Sequence, residues 1–266
     1  MRPARWLVWG AAAVLLAAWP WSAWAQAVEV EDALRATYEA ASDTWWLEGD
    51  PVRIRRGDLV VEARTVRYRA RQGEFEATGG VRVQRGAELE VRADRAEGSV
   101  REGRAVLDGG VHAAYLTGQG TVRLAAPRAH VHFGRRTARA SGGARVSWAD
   151  AGLEAQEVLV DGGAEVAVAS GDPVVRWREV RLVAGAMRAD LRAQVLKAEG
   201  GVRLEDPEGV ARGHEAEVLW RERVAILRGQ VVARRGTDEL RADEVRYAWE
   251  RGVLAATGRS RVVVHP

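Results

Sequence analysis

Glycine returns along this chain at a nearly fixed interval, and that interval limits what the chain can fold into more than any other feature. Gly49, Gly79, Gly109, Gly142, Gly171, Gly200, Gly229 and Gly258 are separated by 30, 30, 33, 29, 29, 29 and 29 residues. A repeat of this length is one supersecondary unit that cannot bury its apolar face alone and must stack on its neighbours. Gly80, Gly110, Gly143 and Gly201 supply a second glycine at four joints, as a turn needing positive φ would require. Within a unit, apolar and polar residues alternate with period two, the pattern of half-buried strands rather than helices.

The register repeats across the chain. Val61, Ala63, Val66, Tyr68, Gly73, Phe75, Ala77 and Gly79 lie 179 residues before Leu240, Ala242, Val245, Tyr247, Gly252, Leu254, Ala256 and Gly258, without a gap. The middle units follow the same template through Val91 and Leu107, Leu124 and Phe133, Leu153, Leu182, and the joint strands Val81–Val83 and Val202–Leu204. About seven units of two short strands predict 14 to 16 strands joined by turns at the glycine joints. Pro51, Pro127, Pro173 and Pro207 fall near unit starts or turns. Such alternating strands build antiparallel sheets whose apolar faces must cover one another, giving an all-β sandwich. Val28 to Ala41 is the one helical candidate, read as an N-terminal arm or short helix.

Composition bears on compartment and chemistry. Arg2 and Arg5 precede an apolar run from Trp6 to Trp19, and Ala23-Trp24-Ala25 makes a small-residue cleavage site. Residues 1–25 therefore read as a signal peptide, with a mature chain from Gln26 and the periplasm as destination; an uncut inner-membrane anchor is the alternative. Cysteine is absent, which leaves packing and strand pairing to supply stability. With Arg2 and Arg5 set aside, 38 Lys+Arg face 37 Asp+Glu, and this balance excludes the basic surface that nucleic-acid binding demands. Alternation of arginine and acid, as in Glu88, Glu90, Arg92 and Asp94, marks a solvated outer face.

No catalytic constellation is visible. His130 and His132 would share a strand face but lack a third ligand, and neither a nucleophile elbow nor a phosphate loop occurs. The expectation is a protein that is not an enzyme and takes no metal or cofactor. Small inward residues along the whole length admit two arrangements, a tightly packed core or an apolar groove between splayed sheets. In the second, the groove would be lined by Val61, Ala63, Tyr68, Phe75, Val81, Val83, Val91, Leu107, Leu124, Phe133, Leu153, Leu182, Leu204, Leu240, Val245, Tyr247 and Leu254. Unpaired strands at the two ends, the last running from Arg259 to Val264, would template another sheet and allow head-to-tail self-association.

Asp58 to Gly79 and Asp238 to Gly258, with L-x-A-D-x-V-x-Y best represented by Leu240 to Tyr247, resemble the repeat of the OstA-like family. That family includes the LptA bridge, the periplasmic part of LptC and the N-terminal domain of LptD. The resemblance extends from about Trp45 onward, with residues 26–44 as the arm. It implies an elongated, twisted antiparallel β-jellyroll that shields lipid acyl chains. It also implies a bridge carrying lipopolysaccharide from the inner to the outer membrane, with OstA-like domains of the transport partners joined edge to edge. The chain is longer than a simple bridge subunit, and a division near residue 142 would make two tandem domains. Two other readings stand beside this one. One is a β-repeat scaffold with a solid core. The other is a polysaccharide-binding envelope protein using Trp45, Trp46, Trp148, Trp177, Trp220 and Trp249, although the recurrence of Trp220 and Trp249 at one template position suits packing.

Overall fold

A computed structural model describes residues 29–264 except 57, 118–119, 133–134 and 149–150. The leader and Phe133 lie outside the described residues, as does the Trp148 side chain. The chain is all-β. Its first nine strands are β1 (Glu29–Glu39), β2 (Thr44–Arg56), β3 (Leu59–Arg69), β4 (Glu74–Arg85), β5 (Leu89–Ser99), β6 (Arg104–Thr117), β7 (Gly120–His132), β8 (Thr137–Trp148) and β9 (Ala151–Asp161). Four short strands follow, β10 (Val166–Ser170), β11 (Val174–Trp177), β12 (Val180–Val183) and β13 (Ala186–Asp190). The last six are β14 (Val195–Asp206), β15 (Gly209–Leu219), β16 (Val224–Arg235), β17 (Asp238–Ala248), β18 (Val253–Thr257) and β19 (Arg261–Val263).

From β1 to β10 and from β13 to β18 each strand pairs antiparallel with the next, within one 19-stranded sheet. Between β9 and β14 the ladder is carried by short strands in pairs: β10 and β11 both pair with β9, while β13 and β12 both pair with β14. At the C-terminal end β18 and β19 share the partner β17. β8 pairs with β7 on one side and β9 on the other, above and below Gly142.

The glycine joints are not the hairpin turns that the sequence suggests. Six of the eight lie inside long strands, Gly171 and Gly258 stand at breaks between short ones, and the reversals fall to either side of a joint, as at residues 70–73 and 86–88 around Gly79. Inside the long strands each glycine joint coincides with a register shift, whereas at Gly171 and Gly258 the strand is interrupted. Opposite β3, Glu62 pairs with Arg82 and Thr65 with Thr78, so Gly79, Gly80 and Val81 face only Ala63 and Arg64. The added residue is a β-bulge, which bends the strand and strengthens its twist. Because bulges recur in neighbouring strands, they align into one crease along the sheet. The sheet folds along it into two limbs. One limb holds segments such as 59–62, 81–85, 202–206 and 238–242; the other holds 65–69, 74–78, 195–199 and 244–248. The two layers expected as separate sheets are thus two limbs of one sheet.

Side-chain phase explains the motif. In β5 the buried residues are Leu89, Val91 and Ala93 before the crease and Ala96 after it, so Asp94 and Arg95 both point outward and the period-two pattern slips by one. In β17, Ala242 and Val245 are buried around Asp243 and Glu244 in the same way. L-x-A-D-x-V-x-Y is therefore the sequence of a strand that crosses the crease. Gly79 shows why glycine stands opposite: its φ is +83°, and a Cβ there would lie 2.5 Å from the Cβ of Arg64. The same approach recurs between Gly171 and Gln156 and between Gly229 and His214.

Two further expectations are corrected. Val28 to Ala41, the helical candidate, contributes β1, whose side chains are almost all exposed; backbone pairing to the edge of β2, not side-chain periodicity, decides its conformation. Pro51 and Pro127 lie inside β2 and β7 rather than at unit starts, at the register shifts between Glu48 and Val52 and between Ala125 and Arg128. A bulge leaves a backbone N–H outside the ladder, so proline is tolerated there.

The outer face carries cross-strand ion pairs, among them Arg53–Glu62 at 2.8 Å, Arg82–Glu90 at 2.9 Å, Arg181–Glu205 at 2.8 Å and Arg228–Glu244 at 2.7 Å. Each is solvent-screened and contributes roughly 0–1 kcal/mol, so stability rests on the inner faces. Leu182, Leu227, Val111, Val160, Val218 and Val231 are fully enclosed there. Hairpin turns are fixed locally: Asp161 Oδ1 accepts from the N–H groups of Gly163 and Ala164 at 2.8 and 2.9 Å, and Asp206 Oδ1 accepts from Glu208 and Gly209 at 2.9 and 2.8 Å.

The crease predicts an asymmetry within a glycine pair. Gly80 also has positive φ, +86°, but a Cβ there meets nothing within 4 Å. Gly80→Ala should cost about 1–2 kcal/mol from backbone strain alone. Gly79→Ala should cost about 2–5 kcal/mol, since displacement of the Arg64 strand adds to the same strain. Denaturant midpoints of the two variants measure the difference.

Candidate lipid-binding site

The creased sheet places one face of every strand in the space between the limbs. Residues that alternate inward in sequence therefore converge on one interior, although consecutive strands carry them. All the described groove candidates lie on this face, but in three different environments. Ala63, Val81, Val91, Leu124, Leu182, Leu204 and Val245 are buried, and Val61, Tyr68, Phe75, Val83, Leu107, Leu153, Leu240 and Tyr247 are half-buried. Leu254, on the short last strands, is 42% exposed.

Five of them meet around one cleft. Leu204 and Leu240 from the first limb and Val245, Tyr247 and Leu254 from the second line a cavity of about 260 Å³ at the C-terminal end. Val210, Ala211, Leu227, Ala233, Val262 and Val264 complete its apolar wall, and Asp206, Glu208, Arg234, Arg235, Asp238 and Glu239 stand at it as polar residues. The cleft exists because the final strands are short: β18 and β19 cover β17 without a further layer of neighbours. Sequence reasoning identified Val262 to Val264 as an edge but not as a wall, since which side of β17 they cover depends on the break at Gly258.

The charges at the cleft are already paired. Arg235 lies 3.0 Å from Glu208, and Glu239 accepts from Arg234 at 2.8 Å and from Arg241 at 2.6 Å. Those guanidinium hydrogen bonds hold the Glu239 carboxyl below the usual carboxylate range. The cleft thus has an apolar wall, and the cationic groups at it, Arg234 and Arg235, are paired with acids of the same surface. Tyr247 is the polar residue set deepest in the wall. Burial, aided by its hydrogen bond to Asp206, raises its pKa from 10.0 to about 12. Tyr247 stands on the second limb and Asp206 on the first, so the two face the cleft from its opposite sides.

A link between the limbs is aromatic. Trp177 ends β11 on the first limb, whereas Trp220 and Trp249 follow β15 and β17 on the second. Their rings meet edge to face: Trp177–Trp220 at 5.2 Å and 77°, Trp177–Trp249 at 6.0 Å and 60°, Trp220–Trp249 at 5.9 Å and 65°. Trp177 and Trp220 are buried, which removes them as platforms for sugar rings. The sequence offered the 29-residue recurrence of Trp220 and Trp249 as a signal. It offered none that Trp177 would meet them, because the contact spans the fold.

The N-terminal end is less covered. Tyr38, Trp45, Tyr68 and Phe75 are in register across β1 to β4, and Tyr38 and Trp45 stack with centroids 4.8 Å apart. They form an inward aromatic ladder, with Tyr38 48% and Trp45 42% exposed. On the opposite limb Ile54, Val61 and Val83 are half-buried. Trp46 points to the other face, with the Arg67 guanidinium 5.3 Å from its ring centre. Among the described residues no group of three or more His, Asp or Glu side chains could hold a metal ion.

No protein-family model matches the chain, and no curated protein matches it significantly. Among solved structures, it is similar to LptH from Pseudomonas aeruginosa, described as the LptA-homologous periplasmic component of the conserved lipopolysaccharide transport device. That match has 18% identity and a TM-score of 0.40, and it covers 44% of this chain and 95% of LptH.

Tyr247 generates a pH prediction. Its folded pKa lies above its ordinary value, so the neutral phenol stabilises the fold. The contribution is complete below about pH 10 and is lost as pH rises towards about 12. Over that range the denaturant midpoint of the native chain should fall more steeply than that of Tyr247→Phe, and equal slopes would contradict the burial of the Tyr247 phenol.

Proposed function

We propose that this chain holds and passes along an amphipathic lipid of the lipopolysaccharide class in the bacterial periplasm, with acyl chains between the two limbs. The observation that carries the reading is the apolar cleft at the C-terminal end, open to solvent and lined by the inward faces of the last repeats. A sandwich built only for stability has no need of an uncovered apolar wall, since exposing such surface costs about 25 cal/mol per Å². The exposed aromatic ladder at the N-terminal end supports the same reading, because it leaves the interior accessible at both ends. The OstA-like motif now has a structural meaning as the crease-crossing strand, and the family it resembles uses such an interior for lipid. The outer strands, β1 at one end and β18 with β19 at the other, are edges to which OstA-like domains of membrane partners, or a second copy, would add. The leader would deliver the chain to the periplasm.

One observation favours a second reading. Ala63, Leu182, Ala198, Val218 and Leu227 are completely enclosed, as the core of a β-repeat scaffold would be. The two readings differ in whether lipid enters. The mature chain, expressed from Gln26 in a lipopolysaccharide-producing periplasm, should carry close to one lipopolysaccharide per chain in native mass spectrometry. Leu240→Asp puts a charge in the half-buried cleft wall and should weaken lipid binding by roughly tenfold or more while the β circular dichroism is kept. A chain that emerges lipid-free and takes up no added lipopolysaccharide would leave the scaffold as the better account.

A further inference from the structure

Two polar groups in the interior have no partner. The Nε1–H groups of Trp177 and Trp220 are buried without an acceptor, in residues only 5% and 8% exposed. A buried donor left unpaired is destabilising, and the edge-to-face ring contacts return only part of that cost. Packing alone does not call for such donors, because phenylalanine would offer an aromatic ring here with no N–H to desolvate.

Their position gives the cost a meaning. Trp177 stands at the rim of one limb, and Trp220 and Trp249 at the rim of the other. All strand pairings among the described residues run between neighbours around the sheet, and none joins rim to rim. The limbs are continuous at the crease and meet at this part of the opposite side through the three indole rings. Tyr247 lines the apolar cleft, so the cleft and the tryptophan cluster share one rim. Parting the rings would break no ladder hydrogen bond and would free two donors facing the space between the limbs.

We propose that Trp177, Trp220 and Trp249 form a latch that the bound amphiphile opens. Oxygens at the polar root of its acyl chains, whether ester, amide or hydroxyl, then accept hydrogen bonds from Nε1 of Trp177 and Trp220. The inference rests on the lipid-carrying reading above and adds the ligand chemistry: an acyl chain with acceptors at its head, not plain hydrocarbon, which would fill the space and leave both donors unpaired. The closed latch is the state held at a cost, and binding removes that cost.

The test uses the mature chain with ¹⁵N-labelled indoles, titrated with purified lipopolysaccharide while native mass spectrometry reads occupancy. Single Trp177→Phe and Trp220→Phe variants assign the two indole N–H resonances. Both resonances should move downfield as lipopolysaccharide binds, and the double variant should bind several-fold more weakly. Trp249→Phe, which removes a ring of the same cluster but neither unpartnered donor, should bind more tightly than the double variant. If lipopolysaccharide binds while both resonances stay in place, the latch is overturned and the lipid reading survives. If the native chain binds no lipopolysaccharide, both fall. The resonance shift is read on the unsubstituted protein, so the outcome does not depend on a variant folding well.

Discussion

The fold depends on the close approach of two backbones at the crease. Where Gly79 passes Arg64, or Gly229 passes His214, there is no room for a side chain, and the strand carrying the glycine must accommodate an added residue. This contact, repeated along the sheet, turns what would be a flat, two-faced ribbon of hairpins into a folded one. A flat ribbon would expose one apolar face throughout. Creased, it buries that face against itself, and small inward residues suffice because the limbs lie close together.

From this constraint follow both the solid and the open parts of the interior. Around the middle of the chain, strands on both sides supply Val, Ala and Leu to a common core, and residues such as Leu182 and Val160 lose all exposure. Towards each end the supply of neighbours runs out. At the C-terminal end short strands leave a cleft, and at the N-terminal end an aromatic ladder remains uncovered. The same repeat therefore produces packing in its interior and binding surface at its ends without any change of motif. At the rim beside the C-terminal cleft the tryptophan cluster brings together limbs that no backbone pairing joins there.

Much of this was legible in the sequence, and the parts that were not have a common cause. The 29-residue spacing, the period-two alternation and the match between Val61–Gly79 and Leu240–Gly258 specify an antiparallel β-repeat with a common inward face. A glycine joint carries the signature of a hairpin turn because a positive φ is needed at a turn and at a bulge alike. What separates the two is the partner strand, where the inward pattern slips by one at Arg64–Thr65, Asp94–Arg95 and Asp243–Glu244. Similarly, β1 looked like a loose helix because its side chains face solvent and carry little pattern, while its conformation comes from the edge it adds to.

The sequence by itself determined the repeat, the class of secondary structure and the identity of the inward residues, since local alternation and glycine placement act over a few neighbouring positions. Only the tertiary structure decided which inward residues would be enclosed and which would line a cleft, because enclosure depends on how many neighbouring strands lie beyond a residue. It also decided that Trp177 would meet Trp220 and Trp249. That contact is made across the mouth of a folded sheet, where residues 43 and 72 positions apart are joined by the bend of the crease rather than by any local pattern.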